Sequence, residues 1–172
     1  KIVIAAKAGS KDAFHIINTR NGDSKKIPFD LEGVFTPKWS PDGMRLAFVG
    51  NKNSASDIYT IDLHTNEIVN LTSDIFSDSE PSWHPSSSKL LFVSDRGTKI
   101  DRVPTTAVDM IDHNFEQNNI YSIDINTKVV EKITSSSSNK NYPVYANTEN
   151  VIFYTSDYNG TWNIFKHDLD SG

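Results

Sequence analysis

The feature that most constrains this chain is that it says the same thing more than once. Trp39–Gly50 reads WSPDGMRLAFVG, and 44 residues further on Trp83–Ser94 reads WHPSSSKLLFVS. Trp39, Leu46 and Phe48 thereby correspond to Trp83, Leu90 and Phe92. A third copy starts at Tyr145, with Ile152 and Tyr154 in the slots of Leu46 and Phe48, and NIFKHDL (Asn163–Leu169) follows it as DIYTIDL (Asp57–Leu63) follows the first. At the other end AFHIIN (Ala13–Asn18) precedes DIYTID by the same 44 residues. A chain built this way folds by stacking like units, each too small to bury its own apolar face.

Each unit carries four extended segments. Strand A is TPKW, EPSW or YPVY, and strand B is RLAFVG, KLLFVS or VIFYTS. Strand C is DIYTIDL, NIYSIDI or NIFKHDL, and strand D is EIVNLT or VVEKIT. All are rich in Val, Ile, Tyr, Phe and Thr and are bounded by Ser, Asp, Asn, Gly and Pro, which is the strand-and-turn pattern. The SPDG turn between A and B uses Pro41 to set φ, Asp42 to bond back to the backbone and Gly43 to accept positive φ. Nothing has the 3.6-residue period of a long amphipathic helix. Four strands per ~40–45 residues is the spacing of a β-propeller blade. The fold expected is therefore all-β, a propeller of radially stacked four-stranded antiparallel blades, with units at roughly 1–35, 36–79, 80–141 and 142–172. Trp39 and Trp83 are placed in the gaps between blades. The strand count is B, C and D of a first unit, two complete units, then A, B and C of a last. The expectation is part of a larger propeller, with edges completed by further blades or by a partner.

Composition narrows the function classes. The 172 residues are 37% hydrophobic and 23% charged, which is globular, and the net charge of −5 comes without any basic cluster, which argues against nucleic acid. The absence of cysteine removes disulfides, thiolate metal sites and thiol nucleophiles. No apolar run reaches the ~20 residues of a membrane span, and the opening KIVIAAK reads as a strand. There is no Gly-x-Ser-x-Gly, His-Glu-x-x-His, Walker loop or Gly-x-Gly-x-x-Gly. The histidines at 15, 64, 84, 113 and 167 fall at different repeat positions, and DYNGTWN (Asp157–Asn163) reads as a turn, since it lacks the acids of a calcium loop. No catalytic residue, metal ligand or cofactor is expected in this chain.

The pattern WSPDGMRLAFVG…SDIYTIDL…IVNLT resembles the PD40, or TolB-like, propeller repeat. The likeness is close from Thr36, fair from Glu80 and weaker at both ends. It implies a scaffold or gate that does no covalent chemistry itself, in one of three settings: a periplasmic TolB-type protein, an envelope protein with a peptidoglycan-binding domain, or the propeller capping a prolyl-oligopeptidase-like serine peptidase. A polysaccharide-lyase-like propeller with channel histidines is a further alternative. The resemblance implies a periplasmic or envelope location, and an envelope-associated protein or peptide as partner.

One place breaks the repeat. Between strands B and C of the third unit the loop is 18 residues longer than its counterpart, within Asp95–Asn119. Loops of this length inside compact domains are usually functional or disordered, and this one mixes apolar anchors with acids. In antiparallel blades the B-to-C loops and D-to-A connections share one face. Contact residues expected there are Asp74, Phe76, Asp78 and Glu80 from a D-to-A connection, and Arg96, Asp101, Arg102, Asp109, Asp112 and Phe115 from the insertion. An acidic, aromatic rim of this kind suits a protein or peptide ligand, or a cation.

Overall fold

A computed structural model describes residues 1–9, 11–98, 113–147 and 150–171. They form four antiparallel sheets. The first holds β1 (Ile2–Ala8), β2 (Lys11–Ile17) and β3 (Ser24–Pro28). The second is β4 (Gly33–Trp39), β5 (Arg45–Lys52), β6 (Ala55–Asp62) and β7 (Ile68–Asn70), side by side in chain order. The third is β8 (Asp78–Trp83), β9 (Lys89–Ser94), β10 (Asn119–Asp124) and β11 (Val130–Lys132). The last holds β12 (Lys140–Tyr145), β13 (Val151–Ser156) and β14 (Asn163–Asp168). Among the described residues the only helical piece is a 3-10 turn at Tyr158–Gly160, inside the DYNGTWN segment. The expected blades are present, and so is the expected shortfall: among the described residues the first sheet has no strand A and the last no strand D. This is a partial propeller.

The repeat sets the register as well as the strands. Leu46 pairs with Ile61, Leu90 with Ile123, Ile2 with Ile17 and Ile152 with His167. Successive β5 residues point to opposite faces, as a pleat requires. Leu46 and Phe48 join Phe14, Phe29 and Ile61 in a core between the first and second sheets. Ala47 and Val49 join Leu90, Phe92, Tyr121 and Ile123 between the second and third. Trp83 lies in that second core, and Trp39 packs against the first, so the two tryptophans occupy equivalent gaps. Gly43 has φ of 72°, as the SPDG turn requires, and Ser87 takes over the same left-handed position at 60°.

Strands β4, β8 and β12 begin earlier than the motif suggests, because ladder pairing continues on both sides of a bulge. The register shifts between Phe35 and Lys38, Ser79 and Ser82, and Asn141 and Val144. In each bulge a residue with positive φ precedes proline: Thr36 at 48°, Glu80 at 54° and Tyr142 at 54°. Proline has no N–H to give the ladder, so the chain steps out for two residues and re-enters. These three innermost strands lie side by side. The Trp83 indole Nε1 donates to the Lys38 carbonyl at 3.0 Å, and the Glu80 carboxylate accepts the Tyr142 backbone N–H.

Candidate functional site

The connection from β7 to β8 is where the loop face is built, and it is held by its own polar side chains. The Thr72 hydroxyl accepts the Ile58 N–H at 3.0 Å and donates to Asp57 Oδ1 at 3.1 Å. Asn70 Nδ2 donates to Asp57 Oδ2 at 2.9 Å and to the Tyr59 hydroxyl at 3.1 Å. The Asp74 N–H reaches Asp57 Oδ1 at 3.3 Å, while Asp74 Oδ1 accepts the Phe76 N–H at 2.9 Å in an Asx turn. Asp95 Oδ1 accepts the Ser77 N–H at 2.9 Å.

Arg96 closes the arrangement from the end of β9. Its side chain is fully buried. One terminal nitrogen lies 2.8 Å from both oxygens of Asp78, the other lies 3.1 Å from Asp74 Oδ2, and Nε donates to Ser94 Oγ at 3.0 Å. The Asp74 contact is a charge contact rather than an aligned hydrogen bond. Phe76, Phe92 and Tyr121 surround the guanidinium with ring centroids at 5.4, 5.0 and 5.5 Å. Burial pushes Asp78 up to about 7 against the pull of Arg96, and raises Asp74 for the same reason. Burial also works against the Arg96 charge, but Asp78 and Asp74 outweigh it.

Oxygens of Asp57, Asp74 and Asp78 lie within 4.8 Å of one another, close enough to share a cation. The guanidinium already contacts Asp74 and Asp78, so the cluster works as an internal ion network. His84 Nδ1 and Ser86 Oγ lie 2.6 Å apart, but Ser86 also donates its own N–H to that nitrogen, within one exposed turn. That is turn capping: among the described residues no carboxylate bonds to the imidazole, whose ring packs edge-on against Tyr145.

Over the cluster lies a cleft of about 640 Å³. Asp57, Tyr59 and Asn70 line one side, Asp74 and Ile75 another, and Asp30, Leu31 and Lys52 the rim. The mixture offers a carboxylate, a hydroxyl and an amide beside aliphatic surface, which suits recognition more than group transfer.

The sequence-predicted contacts divide. Asp74, Phe76, Asp78 and Arg96 come together, but inward: all four are buried, which corrects their expected place on an exposed rim. The physical reason is that Arg96 turns the acids into its own ligands, and Phe76 covers the guanidinium. Glu80 is on the innermost strand β8, half-buried and bonded to Tyr142. Phe115 is 56% exposed beside His113, whose ring also packs on Phe76. Asp101, Arg102, Asp109 and Asp112 lie outside the described residues. Asp57, Tyr59 and Asn70 went unread because they belong to strands C and D. The available signal was that Asp57 stands where later units carry Asn119 and Asn163.

This fold is that of the β-propellers with a repeated Trp/Tyr-centred blade. The TolB beta propeller domain family, PD40, matches residues 7–103, and the chain belongs to that family. Among solved structures, TolB from Acinetobacter baumannii is 22% identical with a TM-score of 0.71, over 95% of this chain and 36% of that one. The acylaminoacyl peptidase of Pyrococcus horikoshii is 19% identical with a TM-score of 0.60, over 96% of this chain and 28% of that one. The β-propeller domain of the Trilobed protease from Pyrococcus furiosus is 17% identical with a TM-score of 0.60, over 96% of this chain and 50% of that one. The chain thus spans about a third of the length of the A. baumannii TolB. Among the described residues no helix is long and apolar enough to cross a membrane.

Proposed function

We propose that the chain is a non-catalytic, protein-binding part of a TolB-like propeller in the bacterial cell envelope, and that it binds another protein or peptide through the loop face. The observation that carries this reading is the cleft of about 640 Å³ beneath the β5–β6 hairpin and the β7–β8 connection, whose floor is fixed by the Asp57–Asn70–Thr72 hydrogen bonds. A fixed floor keeps the ordering cost of binding low. In this reading the 95–119 insertion adds Asp101, Arg102, Asp109, Asp112 and Phe115 to the contact. Residues Asp74, Phe76, Asp78 and Arg96 support it from below.

The test is capture from a Gram-negative periplasmic extract by the folded chain, with three variants: deletion of 99–115, Ile75→Arg in the cleft, and Met44→Arg in the A-to-B turn on the opposite face. Capture of a defined protein should be lost in the first two and kept in the third. Equal capture by all folded variants rejects the loop face. The peptidase-gate reading is favoured by the likeness to the acylaminoacyl peptidase. Labelling of the native protein by a fluorophosphonate serine-hydrolase probe would select it.

A further inference from the structure

Two side chains that line the cleft are buried with their hydrogen bonding incomplete. Asp57 is 5% exposed and Tyr59 is 6% exposed. An ionised carboxylate accepts about four hydrogen bonds. Asp57 takes three: the Thr72 hydroxyl and the Asp74 N–H on Oδ1, and Asn70 Nδ2 on Oδ2. Among the described residues it forms no ion pair, because Arg96 directs its charge to Asp74 and Asp78. The Tyr59 hydroxyl accepts from the same Asn70 nitrogen, and its own proton meets no acceptor among the described residues. A buried O–H without an acceptor is unfavourable, so this one needs an explanation.

The next blade shows what the complement is. Asn119 and Tyr121 hold the slots of Asp57 and Tyr59. There Lys140 Nζ donates to Asn119 Oδ1 at 3.2 Å, and the Tyr121 hydroxyl donates to the Gly97 carbonyl at 2.5 Å. The chain itself thus brings one N–H donor and one carbonyl acceptor. In the second blade the slot of Lys140 is Asp78, which pairs with Arg96, and the slot of Gly97 is Asn53, whose carbonyl takes no bond from Tyr59. Asn70 Nδ2 lies 2.9 Å from Asp57 Oδ2 and 3.1 Å from Tyr59 Oη, so the open acceptor and the open donor flank one amide. The group that completes both is a second amide, with its N–H towards Asp57 and its oxygen towards Tyr59. Leu31, Ile68 and Ile75 line the same cleft and offer aliphatic surface to the methylenes that carry such a group.

We propose that the cleft binds the side-chain carboxamide of a glutamine in the partner protein, which donates an N–H to Asp57 Oδ2 and accepts the Tyr59 hydroxyl proton. This rests on the reading of the cleft as the binding site and names the chemistry of its occupant. A lysine ammonium has no acceptor for Tyr59, and a glutamate has no donor for Asp57 and meets its charge. A calcium ion needs about six to eight oxygens, and here Arg96 already holds Asp74 and Asp78. A site with paired polar groups of this kind rejects a ligand that leaves one of them unmatched.

The probes are the peptide acetyl-Ala-Gln-Ala-amide and its counterparts with Glu, Lys or norleucine at the centre, each added at millimolar concentration to the 15N,13C-labelled protein. The glutamine peptide should move the Asn70 side-chain amide and the Ile68 and Ile75 methyl resonances, and leave the Asn119 side-chain amide in place. The other three should move none of them. Tyr59→Phe should weaken the glutamine peptide by roughly five- to tenfold, the value of one net hydrogen bond. If that variant fails to fold, the ranking of the four peptides on the unaltered protein decides by itself. The proposal is overturned if the Glu, Lys or norleucine peptide moves the same resonances as far, or if no peptide moves them. Such a failure, with partner capture still abolished by Ile75→Arg, strikes the carboxamide alone. A glutamine-specific shift, with capture indifferent to Ile75→Arg, upholds the carboxamide site and strikes the partner-binding reading.

Discussion

The junction between the second and third blades and the junction between the third and fourth use the same repeat positions and fill them with opposite charge. At the first, strand A contributes the acid Asp78, facing Arg96 and near Asp57 and Asp74. At the second, the slot of Asp78 holds Lys140, whose Nζ donates to the Ser136 carbonyl at 2.7 Å, to Asn119 Oδ1 at 3.2 Å and to the Ser138 carbonyl. Asn119 stands in the slot of Asp57. The backbone fittings, by contrast, are the same at both. Thr72 and Thr134 each accept the N–H of a strand-C isoleucine at 3.0 Å. Asp95 and Asp157 each accept an N–H of the preceding D-to-A connection, from Ser77 and Asn139, at 2.9 and 2.7 Å. The repeat thus specifies how the backbone is satisfied and leaves the charge of each junction free. A cation buried against carboxylates and a cation buried against carbonyls are different energetic objects, and substitution should separate them.

The largest effect should come from Arg96→Met. It leaves Asp74 and Asp78 buried with no counter-charge, and losing one partner of a buried ion network costs about 3–5 kcal/mol. The chemical denaturation midpoint should fall accordingly. If the variant is as stable as the parent, the network is replaceable by apolar packing and the first junction is no more demanding than the second.

Next comes pH. Burial raises the folded pKa of Asp78 to about 7, above the ordinary 3.8. Between those values the folded chain keeps a proton that the unfolded chain has lost, so stability is highest near pH 4 and declines towards pH 7. Lys140 works in the opposite sense. Burial pulls its pKa down to about 8 from 10.5, with Asp157 opposing, so between pH 8 and 10.5 the unfolded chain holds the extra proton and stability rises. Denaturation midpoints across pH 4 to 10 should show both slopes, and Asp78→Asn should reduce the acid one, leaving the part due to Asp74, Glu80 and Asp95, which burial also raises, and leaving the alkaline one unchanged. A flat acid limb in the parent chain would mean that Asp78 stays ionised against Arg96 throughout.

The difference between the junctions also explains what could be read from residues alone. The blade count and the missing A strand followed from the 44-residue offset, because the apolar strand-B residues, buried on both faces in β5 and β9, recur at that spacing. The left-handed Ser87 was hidden behind a motif that had lost its glycine, and the bulges at Thr36, Glu80 and Tyr142 behind prolines that read as the start of a plain strand A. The site was less legible. SDIFSDSE has the composition of a solvated loop, and only the arrival of Arg96 from 18 residues beyond Asp78 turns Asp74 and Asp78 inward. Pairing of that kind is set by the closing of the ladder between β8 and β9, which no local pattern records.

A smaller effect is expected at the second junction. Lys140→Met removes hydrogen bonds to three neutral oxygens and exposes no unpaired carboxylate of the kind left by Arg96→Met. The cost should be about 2 kcal/mol, below that of Arg96→Met, and the alkaline limb of the pH profile should flatten with it. A loss equal to that of Arg96→Met would show that carbonyls and carboxylates hold a buried cation alike, and the contrast between the junctions would dissolve.

The finest discrimination lies in the shared fittings. Thr72→Val and Thr134→Val each leave one isoleucine N–H without its partner, Ile58 or Ile120, at about 1 kcal/mol. If the junctions differ only in charge, those two losses should match. The Thr72 hydroxyl, however, also donates to the Asp57 carboxylate at 3.1 Å, whereas that of Thr134 reaches the neutral Asn119 at 3.4 Å. A hydrogen bond to an ionised acceptor is stronger, so Thr72→Val should exceed Thr134→Val by a margin under about 1 kcal/mol. Adding Asp57→Asn should erase that margin in a double-mutant cycle. If the margin persists when Asp57 is neutral, the fittings themselves differ, and the separation of backbone satisfaction from junction charge is wrong at its smallest scale.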